Sequence, residues 1–148
     1  MAIKIPRTII AEMITHALEE DPDECCGFLI GDEHEAKRLV RVKNTAKDKR
    51  RRYSMNELAV MEIQEEADAN GEMFTAVYHS HTYMQAHPSE TDVKNATITG
   101  WTQPYYVLVS LVEKTRPVVR AFRIHPDEIV EEVVITTDGM AYTTGNGS

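Results

Sequence analysis

Strand-like segments follow one another with no helix between them at two places in this chain. That order restricts the fold more than any other feature. Cys25 to Ile30 is a short apolar run closed by Gly31-Asp32-Glu33, and residues 37–43 alternate behind it, as in a hairpin. Tyr105 to Val112, Val118 to Ile124 and Ile129 to Ile135 form a second consecutive set. Strands joined by short turns pair antiparallel, whereas parallel neighbours need a long crossover. Helical spacing covers residues 7–20, with Ile9, Ile10, Met13, Ile14, Ala17 and Leu18 recurring. A second helix is predicted from Ser54, with Glu57 completing a capping box, through Leu58, Met61 and Ile63 toward Gly71. Met73 to Tyr78 reads as a strand, and a short helix is predicted from near Ser89 to just before Gly100. The expectation is a single α/β domain over residues 1–136, its mixed or antiparallel sheet flanked by helices. Residues 137–148 are expected to form a flexible tail that ends small and polar.

Composition bounds the function. A chain of 148 residues with 42% hydrophobic residues can bury its own core, so general disorder is excluded. Its net charge of −8 repels phosphate backbones and argues against nucleic acid as a partner. No apolar run reaches the roughly 20 residues of a membrane helix, and the first residues lack a secretory apolar stretch. Cys25 and Cys26 are adjacent and are the two cysteines of the chain, so no disulfide framework is available. A cytoplasmic location is expected. The pair reads as two small apolar residues facing opposite sides of a strand, with redox chemistry the weaker reading.

The stretch with chemistry in it is Tyr78-His79-Ser80-His81, followed by Pro88-Ser89-Glu90-Thr91-Asp92. Residues two apart on a strand share a face, so His79 and His81 can converge on one metal ion. Asp92, in the first turn of the following helix, can turn toward the same point. Two histidines and one carboxylate leave an open position on zinc, as catalytic rather than structural zinc requires, and lower the pKa of its water to about 7. Each half also has an ordinary reading. His-x-His is common at strand ends, and Ser89-x-x-Asp92 is a capping box. His87 is the alternative ligand if Asp92 is a cap alone. His16, His34 and His125 are expected at the surface.

His79-x-His81, seven residues, Ser89, two residues and Asp92 together resemble the motif of the JAMM/MPN-domain metallopeptidases. Glu24, just ahead of the apolar run, stands where that motif expects a glutamate. The resemblance spans about residues 7–135. It is closest to the bacterial members that release cysteine from a sulfur-carrier protein in a cysteine biosynthesis route. The carrying segments are Tyr78 to Thr82, Pro88 to Lys94 and Tyr105 to Ser110. It implies a curved, mostly antiparallel sheet between helices, the MPN, cytidine deaminase-like fold. It implies one zinc on His79, His81 and Asp92, with Glu24 as general acid–base and Ser89 stabilising the oxyanion. The implied partner is a small ubiquitin-like or sulfur-carrier protein with a C-terminal glycine-rich tail. Thr82 replaces the proline that deubiquitinases of the family carry, and the segment from His81 to Ser89 is compact, so ubiquitin itself fits less well. A broader isopeptidase and a non-catalytic MPN interaction module remain as alternatives. A zinc deaminase would need a Pro-Cys-x-x-Cys segment, which is absent. The basic run Lys47 to Arg52 is either a solvated loop or a landing patch for an acidic carrier.

Overall fold

The structure is a computed structural model that describes residues 1–137 and 140–142. Strands β1 (Ala2–Lys4), β2 (Cys26–Gly31), β3 (Ala36–Val42), β4 (Met73–His81), β5 (Tyr105–Ser110), β6 (Val118–Ile124), β7 (Val130–Thr137) and β8 (Met140–Ala141) make one sheet. Its order is β1-β7-β6-β5-β4-β2-β3, with β8 on β7. Helices are α1 (Arg7–Glu20), α2 (Glu57–Ala69) and α3 (Glu90–Thr99).

Five strand pairings are antiparallel, and two, β1 with β7 and β4 with β5, are parallel. The sheet curls until its ends approach. Lys4 of β1 forms a parallel bridge to Glu35 in the β2–β3 turn, and its N–H donates to the His34 carbonyl at 2.7 Å. Register shifts at Leu29/Ile30 and Ile30/Gly31 help the curl, because bulges increase local twist.

Strand alternation then divides the core. Cys25, Leu29, Ala76, Tyr78, Val107 and Val109 face one side, where Ile9, Ile10, Met13 and Ala17 of α1 pack against them. Cys26, Phe28, Ile30, Val77 and Tyr106 face the other, under Ala67 of α2 and Ala96 of α3. The two cysteines therefore point to opposite faces as free, buried thiols. Burial raises both, Cys25 to about 11 and Cys26 to about 12, which removes thiolate chemistry at neutral pH.

Two expectations change, and two short strands are added. The second helix is capped by Asn56, whose Oδ1 accepts the Ala59 N–H at 3.1 Å, so the Ser54–Glu57 box does not form. Asn56 presents the same short acceptor two residues further on, after the loop has run its full length. His16 is buried rather than exposed, with Nδ1 paired to the Tyr78 hydroxyl at 2.8 Å. Its position on the inner stripe of α1 overrides its polarity. β1 and β8 were not legible in the sequence: three and two residues carry too short a pattern. Of the tail expected over residues 137–148, Thr137 ends β7 and Met140–Ala141 form β8, while residues 138, 139 and 143–148 lie outside the described residues.

Burial first, and then the charge of Arg41, lower the His16 pKa from 6.5 to about 4, against a smaller opposing effect of Glu19. Between those values the unfolded chain binds more protons than the folded one. His16 therefore adds stability at neutral pH that is lost as pH falls from 6.5 to about 4. Denaturant titrations across this window are expected to show wild type losing on the order of 2 kcal/mol more than His16→Gln. Parallel curves would reject the assignment.

Candidate active site

His79 and His81 end β4 on the face shared with Val77, so the pleat alone points both rings the same way. Ser80, between them, points to the opposite face, where its Oγ accepts the Cys25 N–H at 2.8 Å. Ser80 also donates its own N–H to the Cys25 carbonyl at 3.0 Å. These bonds extend the β2–β4 ladder one step past Cys26↔His79 and hold Glu24 beside the histidines.

The parallel pairing of β4 and β5 requires a crossover, which α3 provides. The crossover brings the N-terminus of α3 over the carboxyl end of β4. Ser89 caps this helix by accepting the Asp92 N–H at 3.1 Å, while Asp92 Oδ2 accepts the Ser89 N–H at 2.9 Å. The same Oδ2 lies 3.2 Å from His79 Nε2 and 3.2 Å from His81 Nε2. The cap and the convergence toward the histidines are thus one arrangement, and neither reading of Ser89-x-x-Asp92 excludes the other.

The two Nε2 atoms are 3.1 Å apart, so three electron-pair donors form a nearly equilateral triangle. Tetrahedral ligands at about 2.0–2.2 Å from zinc stand roughly 3.3–3.6 Å from one another, close to these edges. His81 Nδ1 donates to the Gln85 carbonyl at 2.8 Å, which leaves Nε2 of the neutral ring with its lone pair facing the triangle. A lone pair facing a carboxylate oxygen needs a cation between them, either a proton or a metal ion. Among the described residues this is the group of His, Cys, Asp and Glu side chains able to hold an ion. His87 stands apart: it is exposed, and its Nδ1 donates to the Pro88 carbonyl.

Charge balance in the site follows its burial. Burial pushes the Asp92 carboxyl up, but the charge of His79 and hydrogen bonds from both histidines and the Ser89 N–H outweigh it, leaving Asp92 well below the usual carboxylate range. Burial depresses His81, and the bonds to Asp92 and Gln85 reverse this to a net rise. Glu24 is 3% exposed, and its carboxyl rises to about 8, chiefly through burial, with His81 opposing and Asp92 and Asp48 adding to the rise. A carboxyl held near neutrality is suited to both taking and giving a proton.

Sequence reading missed three supports. Tyr53 stacks on His79 at 4.4 Å between ring centroids. Asn44 donates to the carbonyls of Glu24 and Arg52 at 2.9 and 3.0 Å and accepts the N–H groups of Ala46 and Ser54. Ser80 is the third. Each acts across a loop or between strands, where no local spacing reveals it. Tyr83 and Met84 are exposed on the segment between His81 and Ser89, and Trp101 packs edge-on against Phe28 and Phe74.

Residues 6–125 match the family model described as prokaryotic homologs of the JAB domain. The chain belongs to the JAB/MPN domain family. It is 36% identical over 132 residues to the CysO-cysteine peptidase of Mycobacterium tuberculosis, covering 85% of each chain. It is 29% identical over 107 residues to a probable TtuB-protein conjugate cleaving protease of Thermus thermophilus, covering 72% of this chain and 70% of that one. Among solved structures, protein DSY2949 from Desulfitobacterium hafniense superposes with a TM-score of 0.79 at 26% identity, over 93% of both chains. AF2198, a JAB1/MPN domain protein from Archaeoglobus fulgidus, gives 0.60 at 17% identity, over 92% of this chain and 97% of that one, a likeness of fold alone. The names of these relatives, a peptidase and a probable protease, support a hydrolase role for this chain. No helix among the described residues is long and apolar enough to cross a membrane.

The donor triangle predicts uptake of one zinc per chain, read by metal analysis after dialysis. Zinc at about 100 times its Kd should stabilise the fold by about 2.7 kcal/mol. Asp92→Asn should weaken affinity by more than the roughly 10–100-fold seen when an outer-shell partner of a ligand is lost. Unchanged zinc affinity in that variant would remove Asp92 from the ligand set.

Proposed function

We infer that this chain is a cytoplasmic zinc metallopeptidase of the JAMM type. It hydrolyses the amide bond that follows the C-terminal glycine tail of a small ubiquitin-like sulfur carrier and releases cysteine. The observation that carries this reading is the convergence of His79, His81 and Asp92, with the buried Glu24 next to the residue that pairs with Ser80. The donor set fits zinc, which when bound supplies the Lewis acidity that activates water at neutral pH.

The residues divide the remaining work. His79, His81 and Asp92 hold the ion. Glu24 takes a proton as the water oxygen adds to the carbonyl carbon, then gives it to the amine nitrogen as the C–N bond breaks. General acid–base catalysis of this kind contributes about 10²–10⁴-fold. Ser89 accepts the Asp92 N–H, and its own hydroxyl proton has no acceptor among the described residues, so it can donate to the developing oxyanion. A buried glutamate beside a donor triangle is of use to a hydrolase and of none to a surface that only binds a partner. The Thermus relative supports a second reading, a broader isopeptidase acting on protein conjugates of the carrier.

Zinc-loaded protein mixed with a carrier bearing a C-terminal cysteine should shorten the carrier by one cysteine, read as intact mass. Glu24→Gln should keep its zinc and lose at least about 100-fold in turnover. A Gln variant with near-wild-type turnover would sink the role of Glu24. Zinc uptake without cleavage of any carrier would favour the binding module.

A further inference from the structure

The cations of Lys47 to Arg52 are not used by the proposed reaction, although the backbone that carries them is bonded to its residues. The segment holds Lys47, Lys49, Arg50, Arg51 and Arg52 against one carboxylate, Asp48, in a chain of net charge −8. Lys47 and the three arginines are exposed, and no ion pair engages the cations of this loop among the described residues. By contrast, Arg41 is paired with Glu19, and Arg38 with Glu66 and Glu72.

The loop is also fastened to the site at several points. The Lys49 carbonyl accepts the Glu24 N–H at 2.7 Å. The Arg50 carbonyl accepts the hydroxyl of Thr82, the residue after His81, at 3.3 Å. The Arg52 carbonyl accepts Asn44 Nδ2 at 3.0 Å, and Tyr53 stacks on His79. The free cations therefore stand on a backbone fixed to the same residues as the chemistry.

We propose that Arg50, Arg51 and Arg52 recognise the free α-carboxylate of the residue released, and so select removal of one C-terminal residue over cleavage of a protein isopeptide. This rests on the peptidase reading above. In a C-terminal residue the carboxylate carbon is two bonds from the scissile nitrogen, so its charge arrives within a few ångströms of Glu24. Asp48, on the same loop, repels it, while the negative charge of Asp92 is opposed by His81. A guanidinium offsets that repulsion and matches a carboxylate with paired N–H donors. A lysine side chain in an isopeptide brings no free carboxylate to that point, because its own main chain continues in both directions.

The test compares a carrier ending in cysteine with the same carrier ending in cysteine amide. Wild-type, zinc-loaded protein should cleave the free acid about 10–100-fold better in kcat/KM, the range expected for a charge-assisted contact. In the triple variant Arg50→Gln, Arg51→Gln, Arg52→Gln the acid-to-amide ratio should fall toward one, and triple Arg→Lys should recover part of it. Melting temperatures check that the variants are folded. Affinities of the two carriers for Glu24→Gln protein read the same preference without turnover. Equal cleavage of acid and amide by wild type would overturn the proposal. So would a variant that slows both carriers alike with the ratio intact, the result expected if the loop only steers an acidic carrier. Wild type that holds zinc and cleaves neither would reject the peptidase reading, and this proposal with it.

Discussion

The pairing of β2 with β4 is the constraint on which the rest of the site depends. It sets Cys26 opposite His79, and the Ser80–Cys25 bonds carry the ladder one step further, to the residue after Glu24. A slip of one residue would turn both imidazoles into the α1 side of the core and the serine toward the acid. Register is held by burial on both faces. Phe28, Cys26 and Val77 are buried under α2 and α3, and Leu29, Cys25 and Tyr78 are buried against α1. Gly27 lies within this pairing for a steric reason: a Cβ there would stand 2.6 Å from the Tyr78 ring and hydroxyl, besides meeting the Val40 carbonyl.

The second constraint is topological. Parallel strands β4 and β5 need a crossover, and the one they have begins with a capped helix whose N3 residue is Asp92. The carboxylate is therefore fixed twice, by the Ser89 N–H from its own helix and by the imidazoles from β4. The helix N-terminus further favours negative charge at that position. A side chain held in this way needs little reorganisation to act as a ligand, which is what precise metal and catalytic sites require.

Glu24 shows how environment assigns roles to like groups. Asp92 and Glu24 are both buried carboxyls, yet one is driven down by two histidines and a backbone N–H while the other is driven up to about 8 by burial. Such divergence separates a holding group from a proton-moving one. The loop tied to them through Asn44 and the carbonyls of Lys49 and Arg50 carries cations that have no ion pair among the described residues.

The sequence alone determined the order of elements from α1 to β7, the split of Cys25 and Cys26 between two faces, and the common face of His79 and His81. Each follows from local periodicity, which a strand or helix cannot evade without exposing apolar surface. It also carried the His-x-His and Ser-x-x-Asp spacing from which the family resemblance could be drawn. It did not place His16, whose polarity argued for the surface until the inner stripe of α1 buried it against Tyr78. Nor did it show that the Ser89–Asp92 cap and the turn of Asp92 toward the histidines coexist, or that Tyr53, Asn44 and Ser80 support the site. Those outcomes depend on contacts between segments far apart in the chain. Only the curl of the sheet and the β4–α3–β5 crossover bring such segments together, and no local spacing encodes that meeting.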